Sequence, residues 1–290
     1  MRSYHPALSK FWLPTNIKDW LWFISRQALA CVFPWSILAC LALTRHFPLP
    51  VVPRYDVILI TCLVLQYVLY RAGWESEREV KVIASFHILG LLLELHKTSL
   101  GHWAYPEKSW LHIGVVPLYS GFLYASVASY CCQAWRRLDL EIEGWPRGWF
   151  PTLLASAIYV NFFSESVIGD LRIVLIPLVF LLFARTKIHY RLPSGIRTMP
   201  LAFGLLMVGG AIWLAENVGT RCGAWRYPYQ EQGWQMVDLG KATSWFLLVV
   251  VTFLIVAQLK RIPKARTSEG AQHEGSMPDA HRARMTAPIS

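Results

Sequence analysis

The chain has 290 residues, of which 54% are hydrophobic and 16% charged, and its net charge is +10. Soluble domains carry roughly a quarter charged residues, so this composition leaves too little polar surface to cover a water-soluble globule. The basic residues lie at the ends of apolar runs rather than within a nucleic-acid-binding motif, so we expect no nucleic-acid partner and favour a membrane protein.

Long apolar stretches follow one another along the chain. A membrane-spanning helix needs about 20 mostly apolar residues. Stretches near this length lie at roughly 21–44, 55–70, 80–96, 111–134, 150–168, 171–185, 199–217 and 238–260. We therefore predict an all-α fold, a multi-pass membrane helical bundle of about eight transmembrane helices. The first stretch is too long for the core of a signal peptide, so we interpret it as the first membrane helix.

The charges of the loops predict an orientation. Lys and Arg concentrate on the cytoplasmic side of membrane proteins. With residues 1–20 placed inside, the inside segments hold most of the 28 Lys and Arg residues. We expect a protein of the cell inner (plasma) membrane with both termini cytoplasmic. Residues 1–20 form the cytoplasmic N-terminal segment, and residues 262–290, rich in small and charged residues, form a disordered cytoplasmic tail.

A thirteen-residue pattern occurs twice, at an offset of 122 residues. It reads ELHKTSLGHWAYP from Glu94 and ENVGTRCGAWRYP from Glu216, with six identical positions. About one identity is expected by chance, so the pattern indicates an internal duplication. We predict two tandem four-helix membrane repeats, 21–137 and 138–261, which enter the membrane from the same side. Both copies of the pattern would then lie at the outer interface.

Each copy begins with an acidic residue that follows an apolar run. Glu94 and Glu216 are candidate catalytic proton donors, because an acid near hydrocarbon is costly and usually faces a bundle interior or a polar cavity. A structural role, in which each acid hydrogen-bonds a neighbouring helix, is the open alternative. Thr98 and Thr220 lie one turn later on the same helical face, and we expect them to orient the acids and contribute to binding.

The second half of each copy combines a glycine with aromatic residues and a proline. The glycine predicts a left-handed helix end, and the proline stops any further helix. The aromatic residues are candidate binding residues: Trp103, Trp225, Tyr105 and Tyr227. As amphipathic rings they also suit anchors at headgroup depth, which is the alternative interpretation.

Two further polar residues are candidate binding residues. His87 lies on the helical face of the first acid, and Glu165 lies near the end of the fifth predicted helix. His96 and His102 of the first copy have no counterpart in the second, so the histidines form no repeated ligand set. We predict no metal site and no cofactor.

The pattern Glu-x3-Thr-x2-Gly-x-Trp-x-Tyr-Pro, present in both halves, resembles the bacterial integral-membrane family called domain of unknown function 817, over about residues 20–262. This resemblance implies a bacterial multi-pass membrane protein and no assigned activity. The pattern is also similar to Glu-, Gly- and Tyr-containing segments of membrane carotenoid hydratases and cyclases, a likeness from which no catalytic residue is carried over.

The residues leave three functions open. The favoured one is a lipid- or isoprenoid-directed protein with its site at the outer membrane interface, where acids protonate an alkene and aromatic faces stabilise the cation. Its expected partners are membrane lipids, and its ligand would be an isoprenoid or another small molecule. The first alternative is a transporter or permease whose intramembrane acids couple protons or cations. The second is a non-catalytic membrane scaffold whose acids lock helices together.

Overall fold

A computed structural model gives the fold and describes residues 13–47 and 51–261. Most of these residues are helical. The helices are α1 (Ile17–Ala30), α2 (Val32–His46), α3 (Arg54–Arg71), α4 (Glu77–Ser99), α5 (Ser120–Arg137), α6 (Phe150–Ile168), α7 (Arg172–Leu182), α8 (Leu201–Arg221) and α9 (Gly240–Arg261). The predicted tail, 262–290, and most of the predicted N-terminal segment, 1–20, lie outside the described residues.

The first predicted span, 21–44, is two helices. α1 and α2 meet at Cys31, and their axes differ by 68°. Pro34 lies in the first turn of α2, where its ring would clash with the carbonyl of Ala30 in a continuous helix. The proline therefore accounts for the break, which the length of the apolar run alone does not reveal.

The number of spanning helices is smaller than predicted. Among the described residues, α8 and the Gly240–Lys260 part of α9 are long and apolar enough to cross a membrane, and the bent α1–α2 pair would be a third span if it acts as one. The prediction of about eight is therefore wrong by these criteria. α7 has 11 residues, and α4 carries charged groups along its length, including Glu94 and Lys97.

The exterior of the molecule is apolar over several helices. Large hydrophobic side chains such as Ile173 (81% exposed) and Leu181 (71%) on α7, with Val64 and Val68 on α3, have no protein neighbour to cover them. Soluble monomers rarely expose apolar surface on this scale. Together with the apolar helices, this exterior indicates a membrane protein.

Two small antiparallel sheets modify the predicted all-α fold. The first is the hairpin of β1 (His112–Ile113) and β2 (Val116–Pro117), so the fourth predicted helix begins at Ser120 rather than at 111. The second, in the order β3-β4-β5, comprises β3 (Glu141–Glu143), β4 (Lys187–Leu192) and β5 (Gly195–Pro200). Much of it falls between the predicted helices at 171–185 and 199–217, where Ile188, Tyr190 and Leu192 are buried on alternate positions of β4.

The loop between α8 and α9 packs into the core formed by α2–α5. That core contains buried side chains of α2–α5, and Ala224, Trp225, Tyr227 and Val237 of the loop belong to it. The hydroxyls of Tyr55 and Tyr119 both donate to the carbonyl of Ala224, at 2.9 and 3.0 Å. The second copy of the repeated pattern is thereby held against the first half of the chain.

The described residues up to Val256 form one compact unit, and Ala257–Arg261, at the end of α9, begin a second. The division at residue 137 into two repeats stays a prediction.

Candidate functional site

The two copies of the pattern end their helices in the same way. Gly101 after α4 and Gly223 after α8 have φ angles of +74° and +72°. In the first copy, the amides of Gly101 and His102 donate to the carbonyls of Thr98 and Lys97, at 3.0 and 3.1 Å. The residues 122 positions later make the equivalent bonds, at 2.9 and 3.0 Å. Both turns are Schellman-type caps that satisfy the last helical carbonyls.

The chains that leave these caps pair with each other. Ala104 and Arg226, which occupy the same position in the two copies, form an antiparallel β-bridge. Each amide donates to the other residue's carbonyl, at 2.9 Å in both directions. Because equivalent residues exchange equivalent bonds, the two copies are related locally by a twofold axis through the bridge, and their acids and aromatic residues face a common space.

The carboxylate of Glu94, which is buried, accepts three hydrogen bonds from aromatic side chains. Trp103 Nε1 and the Tyr105 hydroxyl both donate to Oε2 at 2.7 Å, and the Tyr124 hydroxyl donates to Oε1 at 2.8 Å. Trp103 and Tyr105 come from the same copy of the pattern, whereas Tyr124 comes from α5. The carboxylate is thus held where α4, its following loop and α5 meet.

The carboxylate of Glu216 is held in a similar way. The Tyr227 hydroxyl donates to Oε1, and Trp245 Nε1 of α9 donates to Oε2 at 2.6 Å. Trp225 lies against Gly219 on the same helix, where an added Cβ would come within 2.5 Å of the indole ring. Glu94 has two donors from the pattern and one from the helix that follows it, whereas Glu216 has one of each.

The threonines do not orient the carboxylates. The Thr98 hydroxyl donates to the backbone carbonyl of Glu94 at 2.7 Å, and the Thr220 hydroxyl donates to that of Glu216 at 3.0 Å. A helical threonine readily bonds the carbonyl one turn before it. The structure therefore corrects the predicted role: aromatic donors orient the acids, and the threonines stabilise the last turns of α4 and α8.

Glu94 and Glu216 line one cavity of about 210 Å³. The other predicted residues on its wall are Trp103, Trp225, Tyr105, Tyr227 and Glu165. Apolar side chains complete it, including Leu93, Leu123, Phe162 and Leu248. Thr98, Thr220 and His87 do not line it. The sequence left open whether the two copies form one site or two, and the structure brings them together in one cavity.

His87 packs elsewhere. Its ring lies 4.3 Å from the ring of Phe122, between centroids, and an added Cβ at Gly121 would lie 2.7 Å from its Nδ1. Its place on the face of Glu94 therefore directs it to the α4–α5 contact rather than into the cavity. This is the ordinary role of a histidine in a tightly packed helix pair.

Four cationic or titratable basic groups line the cavity, and three of them have acidic partners. Lys97 forms an ion pair with Glu165, and His102 Nε2 lies 3.5 Å from the same carboxylate. Arg172 binds Asp170 at 2.6 Å, and its Nη1 also donates to the side chains and carbonyl at the start of α9. Glu165, predicted as a binding residue, is therefore engaged by Lys97 and His102.

The fourth basic group, Lys241, lies between the two copies of the pattern. Its ammonium is 5.0 Å from the ring centroid of Trp103 and 5.0 Å from that of Tyr227. Each aromatic face comes from a different copy, so this cation–π arrangement exists because the copies meet.

The groups in the connecting loops have shifted pKa values. Burial raises the pKa of both Tyr105 and Tyr227, and the neighbouring glutamates raise it further, so both hydroxyls stay protonated and act as donors. Burial, followed by the charge of Lys97, lowers the pKa of His102 below its ordinary 6.5, so its ring is neutral at pH 7. Within the described ranges, His, Cys, Asp and Glu side chains form no group of three that could hold a metal ion.

Sequence reasoning missed three residues of this site. Tyr124 and Trp245 hold the two carboxylates from α5 and α9, and Lys241 lies in the first turn of α9. None belongs to the thirteen-residue pattern.

The fold and the site together define a helical membrane protein with two acidic residues in one cavity lined by aromatic side chains. A family model described as "Protein of unknown function (DUF817)" matches residues 19–253. The uncharacterized protein YoaT of Bacillus subtilis (strain 168) is 47% identical over 258 residues, which is 89% of this chain and 98% of that protein. The chain therefore belongs to the DUF817 family, which confirms the resemblance seen in its sequence.

Among solved structures, the likeness is weaker. The mycobacterial Insig homolog MvINS from Mycobacterium vanbaalenii and a cross-linked trimer of MvINS each show a TM-score of 0.46 at 13% identity, covering 62% of this chain and 92% of theirs. A superposition at this level carries no inference about function.

Proposed function

We propose that this protein is lipid-directed and that the cavity lined by Glu94 and Glu216 takes one end of an isoprenoid or similar lipid chain. The observation that carries the proposal is the joint lining of the cavity by Glu94, Glu216 and aromatic side chains from both copies of the pattern. At about 210 Å³, the cavity is smaller than typical pockets for whole ligands, roughly 300–1,000 Å³. A long lipid would therefore place only one end in it.

The chemistry that suits this cavity is proton donation to an alkene. A protonated Glu94 or Glu216 would transfer its proton to one alkene carbon, which leaves a carboxylate and a carbocation on the neighbouring carbon. The Trp and Tyr donors would stabilise the carboxylate, and aromatic faces and the second glutamate would stabilise the cation. Loss of a proton or addition of water would then complete an isomerisation or a hydration.

The location of the site is part of the proposal. We propose that α8 and α9 cross the inner membrane, that both termini are cytoplasmic, and that the cavity lies near the outer interface. We also propose that the halves 21–137 and 138–261 arose as tandem repeats, which the twofold relation of Ala104 and Arg226 supports. α4 and α8, which end in equivalent caps, would be equivalent helices.

Lipid-extract mass spectrometry tests the proposal. Membranes containing the intact chain, the Glu94→Gln/Glu216→Gln double variant and the control Glu231→Gln would be compared. Glu231 is exposed and does not line the cavity. We expect a lipid that is converted or retained by the intact chain and the control but not by the double variant. Identical lipid profiles from all three folded proteins would reject the proposal.

One observation favours transport as a second candidate. Lys97 is buried and forms its ion pair with Glu165 beside the two glutamates. Charged side chains within membrane proteins often mark proton or ion pathways in transporters. Proton-linked flux of a solute in proteoliposomes, abolished in Glu165→Gln, would favour this candidate over a lipid-directed protein.

A further inference from the structure

Lys241 is a cation in the cavity without an acidic partner in ion-pair contact. Its ammonium lies over Trp103 and Tyr227, and no carboxylate oxygen of the described residues lies within 4.0 Å of it. Lys97 and Arg172, which line the same cavity, are each paired with an acid. A partly buried charge is costly unless an opposite charge or hydrogen bonds offset it. Aromatic faces offset only part of that cost.

The acids near Lys241 are already engaged by other groups. Asp238 Oδ1 accepts the amide of Gly240 at 2.7 Å, at the start of α9. The Glu216 carboxylate accepts its bonds from Tyr227 and Trp245. The ammonium therefore remains available to an anion that enters the cavity from outside the protein.

The surroundings of the cavity indicate that such an anion belongs to a lipid. The apolar side chains of Phe162 and Leu248 line part of the cavity. At the adjoining ends of α6 and α7, Val167 is 86% exposed and Ile173 is 81% exposed. A free, fully hydrated anion gains nothing from these surfaces, whereas the chain of a lipid can pack against them.

We propose that Lys241 anchors a subsite for the phosphate group of an isoprenoid phosphate, with Arg172 and Lys97 lining the same cavity. This inference rests on the proposed function and names its substrate class. A glutamate that acts as a proton donor is uncharged before it acts, so it does not repel the phosphate. The ligand would place its phosphate at Lys241 and an alkene near Glu94 or Glu216.

Binding measurements on the purified full chain test the subsite. The probes are farnesyl phosphate, farnesol, which has the same chain without the phosphate, and inorganic phosphate. The proteins are the wild type, Lys241→Gln, Lys241→Arg and the control Lys187→Gln, whose lysine is exposed on β4. Circular dichroism and size-exclusion profiles would establish that each variant is folded.

We expect the wild type to bind farnesyl phosphate about tenfold more tightly than farnesol, as one charge-assisted contact allows. Lys241→Gln should remove about this factor for the phosphate and leave the affinity for farnesol unchanged. Lys241→Arg should restore the preference, and Lys187→Gln should keep it. Inorganic phosphate should compete only weakly.

Three results would overturn the inference. They are binding of neither lipid probe, equal affinities of the wild type for farnesyl phosphate and farnesol, and a preference that survives in Lys241→Gln. If inorganic phosphate bound as tightly as farnesyl phosphate, the subsite would serve a free anion and the lipid part of the inference would fail. The lipid profile of the Glu94→Gln/Glu216→Gln variant tests the proposed function, and the binding of farnesyl phosphate tests the phosphate subsite. The two measurements are independent, so failure of the proposed function can be distinguished from failure of the subsite.

Discussion

At the scale of single residues, the glycines that end α4 and α8 have different surroundings. A Cβ added at Gly101 would meet no atom within 4 Å, whereas a Cβ added at Gly223 would lie 2.7 Å from Nη1 of Arg45. Arg45 Nη1 donates to the carbonyl of Cys222 at 3.0 Å. A substitution at Gly101 therefore introduces backbone strain alone. A substitution at Gly223 also disturbs Arg45, which holds the loop after α8 through the carbonyl of Cys222.

We predict that Gly101→Ala lowers the free energy of unfolding by roughly 1–2 kcal/mol, the cost of a left-handed residue with a Cβ. Gly101→Asn should cost less, because asparagine tolerates this conformation. Gly223→Ala should cost more than Gly101→Ala. Equilibrium unfolding in detergent would measure all three, and equal losses at both glycines would contradict the contact with Arg45.

The shifted pKa of His102 gives a pH prediction. Because its pKa in the folded state lies below the ordinary 6.5, the unfolded chain binds the proton more readily in this range. Its contribution to stability is therefore present above pH 6.5 and is lost as the pH falls below that value. The positive charges of Lys97, Lys241 and His96 disfavour protonation of the His102 ring, and the negative charge of Glu165 favours it.

We expect the apparent Tm to fall between pH 7.5 and pH 5.5, and to fall less in His102→Gln. Thermal unfolding of both proteins in the same detergent would check this. The partial exposure of the ring keeps the expected difference small. A variant with the same acid sensitivity as the wild type would show that other groups govern this pH range.

The sequence located part of the site because the pattern repeats. The paired acids and aromatic residues stand out as identities at one offset, and they line the cavity. Lys241, Tyr124 and Trp245 have no counterpart at that offset, so nothing in the sequence distinguishes them from ordinary interfacial residues. Their role depends on how α5 and α9 pack, which is information from tertiary structure.

At the scale of helices, α8 packs closely against α9 through one glycine face. A Cβ at Gly209 would lie 2.8 Å from Phe246 Cα and 2.9 Å from its nitrogen, which are backbone atoms that cannot move aside cheaply. At the next residue, Gly210, a Cβ would meet nothing within 4 Å. Gly209 therefore tests the contact between α8 and α9, and the adjacent Gly210 provides a control position in the same helix.

We predict that Gly209→Ala destabilises the protein by roughly 1–3 kcal/mol, as overpacking does. Gly210→Ala should be neutral or slightly stabilising, because alanine favours a helix. Thermal unfolding in detergent, together with the folded yield from membranes, would distinguish them. If both variants behaved alike, the close approach of α8 to α9 would be wrong.

Helices and strands whose ends are marked by nearby residues could be predicted from the sequence, and those that depend on distant residues could not. The predicted helix at 150–168 matches α6 because a continuous apolar run fills it and Gly169, with φ +95°, ends it. The break between α1 and α2 follows from Pro34, a local signal that the length of the apolar run obscured. β3 was missed because its partners on β4 lie far along the chain, as in the pair of Glu141 and His189. β4 and β5 form a local hairpin that ends at the pair of Leu192 and Gly195, but it falls in a stretch whose Lys and Arg residues predict a cytoplasmic loop.

At the scale of the whole molecule, the orientation can be tested with one pair of positions. β4 and β5 precede α8, and the loop that pairs with Ala104 follows it. If α8 spans the membrane, exposed Lys187 on β4 and exposed Ala104 lie on opposite sides. With cytoplasmic termini, Ala104 faces outward.

We therefore predict that a membrane-impermeant thiol reagent labels Ala104→Cys in intact spheroplasts and labels Lys187→Cys only after the membrane is opened. The chain with its own cysteines supplies the background in each case. The reverse labelling would invert the orientation. Equal labelling of both positions in intact spheroplasts would show that α8 does not span.

The bridge between Ala104 and Arg226 has a consequence for how this family can vary. Both side chains are exposed, and the contact consists of amide and carbonyl groups that nearly every amino acid provides. A substitution at one position therefore requires no compensating substitution at the other, and the two side chains can change independently among relatives. We therefore expect no covariation between these two positions, although they join the two halves of the site. Proline lacks the amide hydrogen, so we expect it to be excluded from both positions.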